Sequence, residues 1–194
     1  ILFFLLTTEA LARDRVITLV ADEWCPFNCR VLPDRGILVD RAATALARDG
    51  FQIKYLEIPW SRAILAVREG LYDAIVGVGR SEAPDFHFPS EPLAIARHSF
   101  FTLPSETWKY RGLHSLKQVR IGVIQDYSYG GLYRDYIRKN NGEHSARVVE
   151  LRGDKVLPRL IKMLQLGRID ALVGEERVLD YHFKSKGFDN PLRN

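Results

Sequence analysis

The sequence has no run of like charge and no low-complexity segment, although its net charge is +4. Its 28 Lys and Arg residues alternate along the chain with its 24 Asp and Glu residues. Nucleic-acid-binding domains usually concentrate their basic residues in a patch or stripe. Scattered charge of this kind is typical of a solvated protein surface, and we therefore expect no nucleic-acid partner.

Long hydrophobic runs are also lacking at the start of the chain. The apolar run from Ile1 to Leu6 is too short to span a membrane. A polar stretch follows, and then the small-x-small pattern Ala10-Leu11-Ala12, which is typical of a signal-peptide cleavage site. Residues 1–12 are therefore interpreted as the remnant of a signal peptide, with a buried N-terminal strand as the alternative. On the first interpretation the mature chain begins near Arg13 and lies outside the cytoplasm.

Cysteine is scarce, since the only two cysteines are Cys25 and Cys29 in the loop WCPFNC. An oxidising compartment would permit a disulfide between them, and two free thiols are the alternative. The loop offers too few ligand-type side chains for a structural metal site. We expect neither a metal nor another cofactor.

One sequence motif occurs twice, as EGLYDAIVGVG at residues 69–79 and as LGRIDALVGEE at residues 166–176. In each copy a glycine ends a helix, a polar turn follows, and an apolar run enters a buried strand that stops at another glycine. Two copies predict two lobes of similar construction. Asp73 and Asp170 precede these strands, and we assign both to a turn or a helix cap.

The rest of the chain alternates between strand and helix patterns. Strands are predicted at residues 16–21, 51–59, 71–79, 119–124, 146–151 and 169–174, and helices at residues 36–50, 60–70, 130–141, 155–167 and 175–187. This alternation predicts an α/β fold in which each lobe has a mainly parallel sheet flanked by helices.

A division of the chain into lobes follows from the same pattern. Residues 92–103 form a β-rich run that we interpret as the end of lobe 1, which then spans residues 13–104. Residues 105–112 follow Pro104 and include Ser105 and Gly112, residue types that interrupt helices and strands. We therefore interpret this segment as the crossover. Residues 113–194 then form lobe 2.

Five motifs stand in order between about Val16 and Lys186: WCPFNC followed by GILVDRAATAL, then PWSRAILAVREGLYDAIVGVG, APDFHFPSEPL, SLKQVRIGVIQDYSYG and LGRIDALVGE. Together they resemble the bacterial extracellular solute-binding proteins of family 3, which serve polar amino acid ABC transporters. Pro89 and Leu93 depart from the family pattern. The resemblance implies a two-lobed, periplasmic-binding-protein-like (type II) fold. Family members add a C-terminal return segment to lobe 1, so the resemblance implies truncation at the C-terminus. Because neither an initiator Met nor a basic segment precedes Ile1, the sequence is interpreted as truncated at its N-terminus as well.

In an open α/β sheet, ligands bind outside the carboxyl ends of the strands, and Gly77 stands at such an end. The resemblance implies that Trp24, Phe27 and Trp60 wall the ligand, with core packing as the alternative. The family's carboxylate-binding Arg has no counterpart at the aligned position. Arg80 leaves the same strand end and is our substitute candidate, with an exposed surface arginine as the alternative.

The predicted second lobe supplies the opposite wall of the site. Ser128 matches the family's hydroxyl residue, which holds a ligand carboxylate together with neighbouring backbone N–H groups, and a plain helix cap is the alternative. Tyr127 and Tyr129 replace smaller polar residues and would narrow the cleft. Glu175 stands where the family usually has an Asp that takes the ligand ammonium, and a helix N-terminal carboxylate is the alternative.

The resemblance implies a monomeric periplasmic receptor that captures a small polar solute, an amino acid or similar carboxylate, and delivers it to an ABC permease in the inner membrane. No catalysis is expected. Two alternatives remain: the extracytoplasmic ligand-sensing module of a signalling protein, and a dehydratase-like enzyme on the same fold. Glu175 is the candidate general acid or base for such an enzyme, whereas no histidine pairs with a serine or cysteine at motif spacing.

Overall fold

A computed structural model describes residues 15–30, 35–140 and 147–194. The predicted signal-peptide remnant, residues 1–12, lies outside this range. Within the described residues, every helix is too short or too polar to cross a bilayer.

The first sheet is parallel and has three strands in the order β2-β1-β3. Burial of β1 increases toward its carboxyl end, where Leu19, Val20 and Ala21 are buried. The strands and their flanking helices are β1 (Arg15–Ala21), α1 (Ile37–Ala47), β2 (Phe51–Glu57), α2 (Trp60–Arg68) and β3 (Ala74–Ile75). The predicted strand at 71–79 is therefore only two residues long, since Gly77 has a φ of +92° and ends the extended backbone.

The second sheet has four strands in the order β4-β7-β5-β6. β5 pairs in parallel with β6 and β7, whereas β4 pairs antiparallel with β7. A 3-10 helix at Leu113–Gln118, which the sequence pattern did not predict, precedes β5. The elements of this sheet and its helices are β4 (His98–Phe101), β5 (Ile121–Ile124), α3 (Gly131–Asn140), β6 (Val148–Leu151), α4 (Val156–Gln165), β7 (Ala171–Glu175) and α5 (Glu176–Lys184).

The position of β4 differs from the predicted lobe boundary at residue 104. β4 joins the second sheet because Phe101 is buried, at 2% exposure, in a core with Leu160, Leu172 and Leu179. The chain therefore passes from the first sheet to the second between β3 and β4, ahead of the predicted crossover at 105–112.

Residues 105–112 instead pack on the second sheet. The ring of Trp108 is buried in the core formed around β5, and its Nε1 donates to the Ser115 carbonyl oxygen at 2.9 Å. The guanidinium of Arg193 donates to the Trp108 carbonyl oxygen at 2.8 Å. These contacts fix the segment to lobe 2.

The aspartate of the repeated motif has the same structural role in both sheets. Asp73 accepts a hydrogen bond from the backbone N–H of Thr18 at 2.7 Å, just before β1 and β3 begin to pair. Asp170 accepts one from the backbone N–H of Arg120 at 2.7 Å, just before β5 and β7 begin to pair. Each aspartate therefore extends a strand ladder through its side chain. The role is structural, as expected, but it is neither a turn nor a helix cap.

Replacement of these aspartates should destabilise the fold by different amounts. Asp170 also forms an ion pair with the Arg120 guanidinium at 2.6 Å, and this partner lowers the pKa of the Asp170 carboxyl. We expect Asp170→Ala and Asp73→Ala each to reduce the free energy of unfolding by about 1–3 kcal/mol, because a backbone N–H loses a charged acceptor. Asp170→Ala should cost more, and urea denaturation measures both.

The matched control is Asp135→Ala on α3. Within the described residues the one ion pair of Asp135 is with Arg138, one turn away, and both side chains are largely exposed. Exposed pairs of this kind contribute about 0–1 kcal/mol. Equal effects of all three substitutions would contradict the assigned role of the repeat.

Candidate functional site

A cleft with a volume of about 870 Å³ lies where the carboxyl ends of the first sheet face the second lobe. Residues from both lobes line it. The sequence-predicted residues that the structure brings together there are Trp24, Phe27, Trp60, Gly77, Arg80, Tyr127 and Ser128.

The loop after β1 forms one wall of the cleft. Cys25 and Cys29 are joined by a disulfide, and the backbone N–H of Trp24 donates to the Asn28 carbonyl oxygen at 2.8 Å across the loop. The rings of Trp24 and Phe27 lie 4.7 Å apart. Phe27 is only 2% exposed and belongs to the core of lobe 1, so it packs in the core and lines the cleft at the same time.

Trp60 at the start of α2 connects the two lobes. Its side chain is 6% exposed, and its Nε1 donates to the carbonyl oxygen of Asp126 at 3.1 Å. Its ring meets the ring of Tyr127 edge to face at 5.4 Å, a favourable geometry for an aromatic pair. The indole N–H is therefore used within the protein, and the face of the ring remains as an apolar wall.

A carboxylate at the end of β1 makes a second contact between the lobes. Asp22 lies directly after Ala21, and its Oδ2 accepts a hydrogen bond from the Tyr127 hydroxyl. Burial raises the pKa of Asp22 to about 7; the Tyr127 bond opposes this shift, and the Glu57 and Glu82 carboxylates add to it. Burial and the nearby Asp22 charge raise the pKa of Tyr127 well above its ordinary value. No ion pair of Asp22 occurs in the described part of the chain.

A third contact between the lobes is made by Glu82. Its Oε1 accepts the backbone N–H of Ser128 at 2.8 Å, and its Oε2 accepts the backbone N–H of Gly79 at 2.5 Å. Burial raises the pKa of the Glu82 carboxyl, and the two N–H groups counter this effect. One carboxylate is thus shared by backbone donors from both lobes.

Hydroxyl and guanidinium groups support this junction. The Ser81 and Ser128 Oγ atoms lie 2.7 Å apart and share a hydrogen bond. Arg134 of α3 donates to the Ser81 carbonyl oxygen at 3.2 Å. The backbone and side chain of Ser128 are therefore both engaged by lobe 1.

Arg80 lines the cleft from an exposed position. Its Nη2 donates to the Pro89 carbonyl oxygen at 3.1 Å, and its guanidinium lies 4.9 Å from the centre of the Phe88 ring. It fastens the segment that leads to the second lobe. Neither of these contacts directs the guanidinium toward Ser128.

Two of the sequence-predicted residues do not line the cleft. Tyr129 is 5% exposed in the core of lobe 2, where its hydroxyl accepts the Ile124 N–H at 2.9 Å. Glu175 is 1% exposed. Its carboxylate caps α5 by accepting the backbone N–H groups of Arg177 and Val178, and it pairs with the Arg177 guanidinium at 2.7 Å. The alternative role, a helix N-terminal carboxylate, describes this arrangement.

Sequence reasoning missed Asp22, Ser81, Glu82 and Asn28. Asp22 could have been found, because it is the first residue after a predicted strand and so stands at a carboxyl end. The contact of Glu82 with the second lobe carries no local signal, since its partner Ser128 is distant in sequence.

Asn28 forms part of the cleft floor. It is 1% exposed, and its Nδ2 donates to the Val76 carbonyl oxygen at 3.4 Å. Its Oδ1 is buried and finds no hydrogen-bond partner among the residues that the structure describes. A Cβ at Gly77 would lie 3.1 Å from the Asn28 amide nitrogen, so Gly77 leaves room for this side chain. Among the described residues, no group of three or more His, Cys, Asp or Glu is placed to hold a metal ion.

The raised pKa of Asp22 predicts a pH dependence of stability. The folded protein holds this proton up to about pH 7, whereas an unfolded Asp releases it near 3.8. The free energy of unfolding of the wild type should therefore fall, relative to that of Asp22→Asn, as pH rises through this window. The amide can still accept the Tyr127 hydroxyl, and the Glu57 and Glu82 carboxyls are present in both proteins. Urea denaturation at several pH values measures the difference, and a difference that does not change with pH would contradict the assignment.

No protein-family model and no curated protein sequence matches this chain. Solved structures do resemble it. A histidine kinase sensor domain with similarity to periplasmic binding proteins has a TM-score of 0.72 and 19% identity, and the match covers 93% of this chain and 76% of that one. An ancestral arginine-binding protein bound to arginine has a TM-score of 0.69 and 16% identity, over 92% of this chain and 77% of that one.

A third similar structure is an amino acid ABC transporter substrate-binding protein from Streptococcus pneumoniae Canada MDR_19A bound to L-arginine. Its TM-score is 0.65 at 21% identity, and the match covers 92% of this chain and 72% of that one. Each of the three is described as a binding protein or a sensor domain. Likeness at this level of identity establishes architecture. The chain has the two-lobed α/β fold of the periplasmic binding proteins.

Proposed function

We propose that this protein is an extracytoplasmic receptor that captures a small, positively charged polar solute in the cleft between its lobes. The observation that supports the proposal most strongly is the environment of the Asp22 carboxylate. This carboxylate is partly buried, its charged neighbours Glu57 and Glu82 are also acids, and it forms no ion pair in the described part of the chain. A carboxylate that is partly removed from water in this way is unfavourable unless a cation accompanies it, and a cationic ligand would supply that partner.

The aromatic residues around Asp22 suit the same ligand. Trp24, Trp60 and Tyr127 line the cleft beside it. Aromatic faces attract ammonium and guanidinium groups, especially where water is excluded. The cleft combines the partly buried acids Asp22 and Glu82 with apolar walls, and a few polar groups among apolar side chains are typical of a small-molecule site.

The similar structures are consistent with this proposal, since two of the three are arginine complexes. Placement in the periplasm, delivery to an ABC permease in the inner membrane and function as a monomer are parts of the proposal that rest on the sequence resemblance. The residues proposed to contact the ligand are Asp22, Trp24, Asn28, Trp60 and Tyr127.

A sensory role is the second candidate, because a histidine kinase sensor domain has the same architecture. Both roles require ligand capture in the cleft and differ only in the partner that responds. Glu175 was the candidate general acid or base for the dehydratase-like alternative. Its carboxylate is instead hydrogen-bonded to the first turn of α5 and paired with Arg177, so this residue does not support the enzyme alternative.

The affinity of the cleft for amino acids should increase with the positive charge of the ligand side chain. In calorimetric titrations we expect L-arginine to bind more tightly than L-glutamine, and L-glutamate to bind most weakly. Asp22→Asn should weaken arginine binding by about thirtyfold or more, because loss of one partner of a desolvated charge pair costs about 2 kcal/mol or more.

The matched control is Asp49→Asn, in the exposed turn after α1, which should leave arginine binding unchanged. Glutamate binding as tight as arginine binding would exclude a cation-selective cleft. So would an Asp22→Asn variant that remains folded and binds arginine like the wild type.

A further inference from the structure

The hydrogen-bond donors that would hold a ligand carboxylate are occupied by a side chain of the protein itself. The backbone N–H groups of Gly79 and Ser128 converge from the two lobes on the Glu82 carboxylate, at 2.5 and 2.8 Å. Paired backbone donors of this kind form a cradle for an anionic oxygen pair. A Cβ at Gly79 would lie 3.0 Å from the Glu82 Oε2, so the glycine permits the close approach of the carboxylate.

Three other donors that line the same part of the cleft are also engaged. The Trp60 Nε1 donates to Asp126, the Tyr127 hydroxyl to Asp22, and the Asn28 Nδ2 to Val76. Acceptors are more plentiful. The buried Asn28 Oδ1 has no partner, and the Asp22 carboxylate has no cation beside it in the described residues. A ligand in this region is therefore expected to bring donors and positive charge.

Arg68 and Arg80, which also line the cleft, do not offset this excess of acceptors and negative charge. Arg68 makes two hydrogen bonds to the Asp85 carboxylate, at 2.7 and 3.0 Å, and Arg80 is held at Phe88 and Pro89. A ligand carboxylate near Ser128 would meet the Glu82 charge without a free cationic partner among these residues. Like charges brought together at low solvent exposure repel strongly.

We propose that Glu82 is a built-in carboxylate that occupies the anion cradle between the lobes, and that the ligands of this cleft are organic cations recognised without an α-carboxylate. The proposal rests on the cation-binding function proposed above and narrows its ligand class to amines and guanidinium compounds. It also assigns Glu82 as a specificity-determining residue, because its charge disfavours the α-carboxylate of zwitterionic amino acids, which then bind more weakly than the corresponding amines.

Agmatine and L-arginine test this proposal, because they share the guanidinium group and differ in the α-carboxylate. Calorimetry on the full chain should give tighter binding of agmatine than of arginine to the wild type. Glu82→Ala frees the Gly79 and Ser128 N–H groups, so the ratio of arginine to agmatine affinity should rise by about tenfold or more, the value of one charge-assisted hydrogen bond. Glu82→Gln keeps the shape of the side chain and removes its charge, and it should shift the ratio in the same direction by a smaller factor.

Two controls keep the outcome interpretable. Glu69→Ala removes an exposed glutamate at the end of α2 and should leave the ratio unchanged. L-Argininamide keeps the size of arginine without its carboxylate, and it should bind the wild type as agmatine does. Circular dichroism establishes whether each variant is folded. If Glu82→Ala does not fold, the comparison is made with Glu82→Gln alone.

The results separate this proposal from the one on which it rests. Tighter binding of arginine than of agmatine to the wild type, or an affinity ratio that is the same in the wild type and the Glu82 variants, would overturn the role of Glu82 while cation binding stands. Absence of binding by agmatine, argininamide and arginine to the wild type and both variants would overturn the cation-binding function itself, and this inference with it.

Discussion

The arrangement of the two lobes depends on one carboxylate that is hydrogen-bonded to both. Glu82 belongs to the loop after β3, and it accepts the N–H of Gly79 in its own lobe and of Ser128 in the other. Hydrogen bonds to an ionised acceptor are roughly twice as strong as neutral ones, and partial burial strengthens them further. The contacts of Trp60 with Asp126 and of Tyr127 with Asp22 lie close to this point. Together they couple the position of lobe 2 to the charges of the cleft.

This coupling links ligand charge to the geometry of the protein. Asp22 and Glu82 are both carboxylates whose pKa values are raised by burial, and each bonds to the same short segment at Tyr127 and Ser128. A cation that enters beside Asp22 favours its ionised form. Since the ionised form is also the better acceptor for the Tyr127 hydroxyl, ligand binding and contact between the lobes would reinforce each other. Such reinforcement is the thermodynamic requirement for a ligand to shift a protein between two arrangements.

Much of the fold could be predicted from the sequence because its signals are local. The strand and helix periods of β1, α1, β2, α2 and the elements of lobe 2 lie within single segments, and the repeated aspartates mark equivalent points in the two sheets. The lobe assignment of β4 could not be predicted in this way. An edge strand such as β4 is placed by its partner β7, more than seventy residues later in the chain, and by the packing of Phe101.

The candidate site was predictable in part, for the same physical reason. The family resemblance pointed to Trp24, Trp60 and Tyr127, which do line the cleft. It did not reveal which strand-end carboxylates are consumed locally. Glu175 is taken up by the first turn of α5, which follows it directly in the chain, and Glu82 by the nearby Gly79 N–H and the distant Ser128 N–H. The Ser128 partner depends on tertiary structure, and periodicity carries no information about it.

The distance between the lobes tests the central claim, that the Glu82 carboxylate holds them together, most directly. Leu65 on α2 and Arg138 on α3 both line a groove between the lobes, and both are well exposed, the Leu65 residue at 50% and the Arg138 side chain at 76%. Spin labels can therefore be attached to cysteines at these two positions, since Cys25 and Cys29 are bonded to each other. On ligand-free protein, pulsed electron–electron double resonance should give a narrow distance distribution with Glu82 intact, and a longer and broader one when Glu82→Ala is added. An identical distribution in the two proteins would contradict the claim.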